Sequence, residues 1–144
     1  MGPHAGASEG LGAAFAEVLA KHHLNLVLIA RRTDKLEALA NALRDKYPIE
    51  IISHSIDLAD FEQTKQFVSE LTVDIGLLVY NAAYAPIGYF ENIPEHDLDQ
   101  IVNVNIKTPL LLTKLISANM IEKGKISHRG KAIEKLVTFL NKYS

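Results

Sequence analysis

The chain carries the stretch Gly6-Ala7-Ser8-Glu9-Gly10-Leu11-Gly12, and apolar residues with helical spacing follow it at once. Glycine is favoured where the backbone takes unusual dihedral angles or lies close against another group. A glycine-rich turn that leads into a helix directs backbone N–H groups and the positive end of the helix dipole outward, which favours a bound phosphate. On these residues alone, a phosphate-binding turn and an ordinary glycine-rich surface loop are equally good interpretations.

The composition is that of one globular domain, with 144 residues of which 48% are hydrophobic and 22% charged. A net charge of −2 gives no general reason to bind nucleic acid. Cysteine is absent and the six histidines lack the spacing of a zinc site, so we predict no metal centre. No apolar run approaches the roughly 20 residues of a membrane span, and no secretory signal is recognised. We therefore expect a cytoplasmic protein.

Apolar segments with helical spacing alternate with continuous apolar segments along residues 9–80. The former are typical of amphipathic helices, and the latter of strands buried on both faces. This alternation favours right-handed βαβ units and hence an α/β fold with a three-layer, Rossmann-like, doubly wound parallel sheet. The predicted strands are 24–30, 49–56 and 75–80, and the predicted helices are 9–22 with Ser8 as its cap, one capped by Thr33 and one capped by Asp60.

The second half of the chain is predicted to be mainly helical after a loop over residues 84–93. Pro94 is placed as the first residue of a helix, and Pro109 as a kink or the first turn of a new one. Residues 122–144 carry six Lys/Arg against two Asp/Glu and include a short amphipathic helix pattern. We therefore divide the chain into a partial dinucleotide-binding region, 1–123, and a basic C-terminal tail, 124–144.

The residues that end the strand 24–30 bear on the choice of dinucleotide. In a dinucleotide-binding βαβ unit, an acidic residue at this point binds the ribose 2′-hydroxyl of NAD, whereas arginine accommodates the 2′-phosphate of NADP. Here the strand ends in Ala30-Arg31-Arg32, without an acid. A guanidinium pairs bidentately with a phosphate dianion. Two solvated arginines near a helix start are the alternative, but the sequence favours NADP(H).

Together these motifs resemble the N-terminal half of a short-chain dehydrogenase/reductase, from residue 6 to about residue 123. Residues 6–12 are similar to that family's glycine loop, although Ala5 stands at its threonine position. Asp57-Leu58, after the third strand, resembles the pair that contacts adenine, and Asn81-Ala82-Ala83 resembles the family's N-N-A-G-type segment, with Ala83 where glycine is usual. Val104-Asn105 resembles the pair whose asparagine belongs to the catalytic tetrad.

The resemblance implies a set of site residues. Asn105 is the catalytic residue, and it would help to hold a water molecule in a proton relay to a catalytic lysine. The family's long helices that form dimers resemble residues 94–123, so a homodimer is expected by analogy. The implied cofactor-binding residues are Gly6, Ser8, Glu9, Gly10, Leu11, Gly12, Arg31, Arg32, Asp57, Leu58, Asn81, Ala82 and Ala83.

Each match also has a purely structural interpretation. Asp57 could simply cap the next turn, and Asn81 could form a turn at the end of a strand. Asn105 could satisfy a neighbouring carbonyl across a kink in the helix. Any one of these alternatives is acceptable on its own, but all of them together are a poor explanation of four motifs in the family's order.

Two larger parts of the family's pattern are also not recognised in the chain. The family's catalytic serine, tyrosine and lysine are not found, since none of the five tyrosines has a lysine four residues later. The family's central first strand would have to be Met1 to Ala5, where Pro3 cannot donate to a ladder. We hypothesise that an N-terminal half is joined here to a C-terminal tail, and that the chain as given is inactive.

Three functional hypotheses follow. The parent protein would be an NADP(H)-dependent oxidoreductase that transfers hydride to a carbonyl or from a secondary alcohol. Alternatively, the chain is a non-catalytic dinucleotide-binding or regulatory module. The third hypothesis is a truncated fragment that folds by association, because the edges of an incomplete sheet invite pairing with another chain. The substrate is not predicted, and residues 84–90 are equally compatible with an apolar substrate pocket and a surface loop.

Overall fold

A computed structural model describes residues 10–124 of the chain, and the predicted Ser8 cap and the predicted C-terminal helix lie outside this range. Within the described range, helices and strands alternate up to residue 70, and helices dominate between residues 90 and 124. In chain order the elements are α1 Gly10–Lys21, β1 Leu26–Ala30, α2 Thr33–Lys46, β2 Ile51–Ser55, α3 Phe61–Glu70, a 3₁₀ turn Phe90–Asn92, α4 Glu95–Val102, a π-helical segment Asn103–Lys107 and α5 Thr108–Gly124.

The two strands pair in parallel, with the register running from Leu26 opposite Ile51 to Ala30 opposite Ser55. The N–H of Leu26 donates to the carbonyl of Glu50 at 2.9 Å, and the N–H of Ile56 donates to the carbonyl of Ala30 at 3.2 Å. Parallel strands need a crossover connection, which α2 supplies here. The predicted βαβ unit is therefore confirmed.

Apolar side chains of β1 alternate between two clusters on opposite faces of the sheet, as the two-residue period of a strand requires. One cluster lies against α1 and α2, and the other against α3 and α5, so helices cover both faces. This confirms the α/β, Rossmann-like class in an incomplete form. The first cluster, named here the α1/α2 cluster, contains Ala16, Ala20, Leu26, Leu28, Ala30, Leu36, Ala40, Leu43 and Ile51. The second, the α3/α5 cluster, contains Ile56, Leu58, Phe67, Val68, Ala82, Val104, Leu112 and Ile116, with Val27 and Ile29 packed against it.

Residues 75–80 form no strand, so the prediction of a buried strand there is wrong. Leu78 and Tyr80 pack against the α3/α5 cluster, whereas Leu77 and Val79 are 36% and 42% exposed. A strand exists only through hydrogen bonds to a neighbour, and the sheet of the described residues contains β1 and β2 alone. The α1/α2 cluster does not extend to this segment, which leaves alternate apolar side chains uncovered.

The predicted helix caps have mixed outcomes. Asp60 caps α3, because its side chain accepts a hydrogen bond of 2.9 Å from the N–H of Gln63. Thr33 is the first residue of α2 rather than its cap, and Arg32 occupies the cap position without a side-chain cap bond. Pro94 occupies the cap position of α4, one residue before the predicted place. Proline suits either position because its fixed φ is compatible with both.

Candidate functional site

The start of α1 forms one side of the candidate site. Gly10 has a φ of +55°, in the left-handed region that favours glycine, and a Cβ built on it would meet no atom within 4 Å. Its backbone conformation, rather than crowding, therefore explains the glycine. Leu11 is exposed, and Gly12 is buried in the first turn of α1. The implied residues Gly6, Ser8 and Glu9 lie outside the described part of the chain.

The carboxyl ends of β1 and β2 lie at the same edge of the sheet, since the strands are parallel. Open α/β sheets bind ligands outside this edge. Arg31 and Arg32 leave β1 here and are exposed. The hydroxyl of Ser55 donates to the carbonyl of Arg31 at 3.0 Å, which links the ends of the two strands. Arg31 and Arg32 therefore lie at the edge of the sheet where the family's pattern implies a bound dinucleotide.

Asp57 and Leu58 follow β2 at the same edge. The carboxylate of Asp57 accepts a hydrogen bond of 3.0 Å from the N–H of Ala59, and its own N–H donates to Oε1 of Gln63 at 2.8 Å. Asp57 therefore stabilises the turn before α3, as the structural interpretation expected. The Asp57 side chain is nevertheless exposed, while Leu58 is buried. The turn therefore holds the Asp57 carboxylate at the carboxyl edge of the sheet and leaves it exposed to solvent.

Thr108, the first residue of α5, connects this helix to the turn that contains Leu58. Its side chain is fully buried, and its hydroxyl donates to the carbonyl of Leu58 at 2.6 Å. Sequence reasoning did not single out Thr108. A local signal existed, since a hydroxyl residue directly before Pro109 is typical of a helix start, but nothing local pointed to Leu58 as the partner.

Residues 81–83 lead from the segment 75–80 into the loop before α4. Ala82 is buried in the α3/α5 cluster, Asn81 is half-buried and Ala83 is exposed. Farther along the loop Ile87, Tyr89 and Phe90 are exposed, as in a surface loop.

Asn105 lies beside this loop and holds its backbone. The N–H of Tyr84 donates to Oδ1 of Asn105 at 2.8 Å, and Nδ2 of Asn105 donates to the carbonyl of Tyr84 at 2.9 Å. The side-chain amide thus pairs with one residue as a neighbouring strand would. Asn105 does satisfy a backbone carbonyl, as its structural interpretation expected. That carbonyl belongs to Tyr84, in the loop after residues 81–83, and not to the helix that contains Asn105.

The helix is wider than an α-helix around Asn105. The N–H of Thr108 bonds to the carbonyl of Asn103, five residues earlier. Pro109 has no N–H, so it cannot give the carbonyl of Asn105 its usual bond from four residues on. Short π-helical segments of this kind are frequent at functional sites. Of the two alternatives predicted for Pro109, a kink or the first turn of a new helix, the structure shows the second, since α5 begins at Thr108.

Tyr80 and Tyr84 contribute hydroxyls that are already engaged. The Tyr80 hydroxyl donates to the carbonyl of Val104 at 2.5 Å, and burial raises the pKa of Tyr80 to about 12. The Tyr84 hydroxyl donates to Oδ1 of Asp97 at 2.5 Å. The pKa of Tyr84 is raised, first by this bond to Asp97, with a smaller opposing effect from the positive charge of Arg31. A catalytic tyrosine needs the opposite shift, toward neutral pH.

Other candidate centres are not found among residues 10–124. No group of three His, Asp or Glu side chains in that range could hold a metal ion. A surface depression between α3 and α5 is lined by Phe61, Lys107, Leu110, Leu111 and Lys114, none of which is a predicted cofactor residue. No helix in the described range is long and apolar enough to cross a membrane.

The family model described as short chain dehydrogenase matches residues 5–133. The chain belongs to the short-chain dehydrogenase family. It is 35% identical over 127 residues to the rat protein named inactive hydroxysteroid dehydrogenase-like protein 1, covering 83% of this chain and 38% of that protein. It is 31% identical to human very-long-chain 3-oxoacyl-CoA reductase, covering 83% of this chain and 40% of that protein.

A solved structure shows the same fold. The short-chain dehydrogenase of Sphingobium yanoikuyae in complex with NADPH superimposes with a TM-score of 0.76 and 29% sequence identity. The match covers 83% of this chain and 48% of that one. The chain therefore spans well under half the length of the curated relatives that it matches and about half of this structural neighbour.

Proposed function

We propose that the described residues are the cofactor-binding half of an NADP(H)-dependent oxidoreductase that interconverts a carbonyl and a secondary alcohol. The observation that carries this proposal is the placement of Arg31 and Arg32 at the carboxyl edge of a parallel sheet, with no acid at the end of β1. Two relatives support the chemistry by their names, a 3-oxoacyl-CoA reductase and a short-chain dehydrogenase with NADPH.

The donor set at this edge fits a phosphorylated dinucleotide. The positively charged side chains of Arg31 and Arg32 would hold the 2′-phosphate, which a carboxylate in their place would repel. Backbone N–H groups at the start of α1 would bind the pyrophosphate. Asp57 and Leu58 would line the adenine, and Asn81 to Ala83 would leave room for it. When bound, NADPH supplies the hydride.

Asn105 positions the site through the backbone. Its side-chain amide holds the backbone of Tyr84, which follows the segment 81–83. That segment would lie beside the bound cofactor. By the family's pattern, Asn105 would also help to hold a water molecule. The catalytic step would still require the serine, tyrosine and lysine of a whole family member.

A second candidate function is a non-catalytic dinucleotide-binding module. Tyr80 and Tyr84 both have raised pKa values and engaged hydroxyls, so neither is prepared for proton transfer. The rat relative is itself named inactive. This candidate shares the cofactor site with the first and differs only in lacking turnover. Homodimer formation and a cytoplasmic location stay predictions from the sequence.

Calorimetry with NADPH and NADH on the 144-residue chain tests the cofactor site. We expect NADPH to bind at least about tenfold more tightly, and the double variant Arg31→Ala/Arg32→Ala to lose that preference while its affinity for NADH stays the same. Lys21→Ala, an exposed cation at the far end of α1, is the matched control and should change neither affinity. Equal affinity for both dinucleotides would overturn the NADP assignment, and no binding of either would overturn the site.

A further inference from the structure

The segment 81–83, which would lie beside the bound cofactor, is part of a stretch without sheet neighbours among the described residues. Residues 75–88 form no backbone-to-backbone hydrogen bond with any residue of the range 10–124. A backbone without such bonds opens more easily than one in a helix or a ladder. Within the described chain, the place of residues 81–83 therefore depends on bonds that side chains make on either side of them.

Two tyrosines hold the stretch, one before and one after residues 81–83. The hydroxyl of Tyr80 donates to the carbonyl of Val104 at 2.5 Å. The backbone of Tyr84 pairs with the side-chain amide of Asn105. Val104 and Asn105 are neighbours in the π-helical segment that precedes α5. The segment 81–83 is thus attached at both ends to the same turn of helix.

Asp97, in the first turn of α4, supplies a third attachment. Its Oδ1 accepts from the Tyr84 hydroxyl at 2.5 Å, and its side chain is only 15% exposed. Nε2 of His96 lies 3.2 Å from the same oxygen, but the His96 side chain is itself exposed. A hydrogen bond to a charged acceptor is stronger than one between neutral groups. Tyr84 is therefore held at its backbone by Asn105 and at its hydroxyl by Asp97.

We propose that Tyr80, Tyr84 and Asp97 are positioning residues for the dinucleotide, because they hold residues 81–83 where the cofactor binds. This inference rests on the proposed function, and Asp97 acts only through the Tyr84 hydroxyl. Without one of these bonds, residues 81–83 spend part of the time away from the binding position. The measured affinity then falls in proportion to the fraction of molecules in which they are in place. Residues 81–83 border a part that NADPH and NADH share, so both affinities fall by the same factor.

Calorimetry with NADPH and NADH on single-hydroxyl variants of the 144-residue chain tests this inference. Tyr80→Phe and Tyr84→Phe each remove one hydroxyl and keep the aromatic ring. We expect each variant to bind both dinucleotides about three- to tenfold more weakly, with the ratio of the two affinities unchanged. Tyr89→Phe, which removes an exposed hydroxyl from the same loop, is the matched control and should change neither affinity.

Variants of Asp97 separate the hydrogen bond from the negative charge. Asp97→Asn keeps an oxygen that accepts from the Tyr84 hydroxyl, so its affinities should stay closer to the parent chain. Asp97→Leu offers no acceptor and should match Tyr84→Phe. The double variant Tyr84→Phe/Asp97→Leu should bind no more weakly than either single variant, because all three lack the same bond.

A bond that serves stability alone would lower the free energy of unfolding and leave dinucleotide affinity unchanged, so urea denaturation of each variant accompanies the calorimetry. Unchanged affinity of both phenylalanine variants would overturn the inference, and so would a loss confined to NADPH or an equal loss in Asp97→Asn and Asp97→Leu. If the parent chain binds neither dinucleotide, the proposed function fails and the positioning role fails with it. If the parent chain binds and the phenylalanine variants bind equally well, only the positioning role fails.

Discussion

Asn105 and Tyr84 are joined by two hydrogen bonds, 2.8 and 2.9 Å long, between one side-chain amide and both backbone groups of one residue. Asn105 lies in the widened turn before α5, and Tyr84 follows the stretch 81–83. The pair therefore connects the helix layer to the edge of the sheet at which the dinucleotide is proposed to bind. An asparagine is suited to this task because its amide offers a donor and an acceptor in one plane.

Asn105→Ala removes both bonds, and we expect it to lower the free energy of unfolding by about 1–2 kcal/mol, since a net hydrogen bond contributes about 0.5–1.5 kcal/mol. Urea denaturation followed by circular dichroism measures the change. Asn119→Ala, at an exposed position of α5, is the control and should stay within about 0.5 kcal/mol of the parent chain. Equal effects of the two variants would show that the Asn105–Tyr84 bonds add nothing.

Thr108→Val replaces a buried hydroxyl by a methyl group of similar size. The carbonyl of Leu58 then loses its 2.6 Å partner inside the α3/α5 packing, so we expect a loss of about 1–3 kcal/mol in unfolding free energy. Thr108→Ser keeps the hydroxyl and should retain more stability than the valine variant. Thr113→Val, at an exposed position of the same helix, should be close to neutral. If the serine variant is less stable to unfolding than the valine variant, the effect of position 108 comes from packing of the methyl group and not from the hydrogen bond.

The two helix starts at Asp60 and Thr33 should respond differently to alanine. Asp60→Ala removes an observed cap bond to the N–H of Gln63 and should cost about 1 kcal/mol. Thr33→Ala removes no cap bond, because α2 already begins at Thr33, and should cost less than about 0.5 kcal/mol. Thermal and urea denaturation of both variants make the comparison. Equal losses would mean that Thr33 does cap α2 in solution.

Local patterns in the sequence predicted those parts of the structure that depend on near neighbours. The alternation of helix and strand around β1, α2 and β2, the cap at Asp60 and the helix start at Pro109 all arise within a few residues. Thr33 was predicted to cap α2 but is its first residue. The prediction was wrong by one position because threonine is compatible with both the cap and the first turn. Arg31 and Arg32 were placed at the strand end because β1 ends where its apolar run ends.

Contacts between residues far apart in the sequence had no local pattern that could predict them. The partner of Thr108 lies 50 residues away along the chain, and the partner of Asn105 lies 21 residues away. Residues 75–80 have the composition of a buried strand, yet pairing requires a neighbour that the described chain does not supply. An apolar, β-branched composition favours a strand, but a strand forms only where a neighbouring strand is present to hydrogen-bond with it.

The pH dependence of stability should report on Tyr80. Burial raises its pKa to about 12 in the folded chain, whereas an unperturbed tyrosine has a pKa of about 10. The folded state thus keeps its proton to higher pH than the unfolded state does. The stabilisation is complete below pH of about 10 and is lost as the pH rises from about 10 to about 12. Tyr80→Phe should therefore flatten the fall in unfolding free energy over this interval, measured by urea denaturation at successive pH values.

Tyr89→Phe, at an exposed position, is the control that shares all other alkaline titrations. Parallel curves for the parent chain and the Tyr80→Phe variant would show that the Tyr80 hydroxyl is accessible to water, and that its bond to Val104 does not hold the proton.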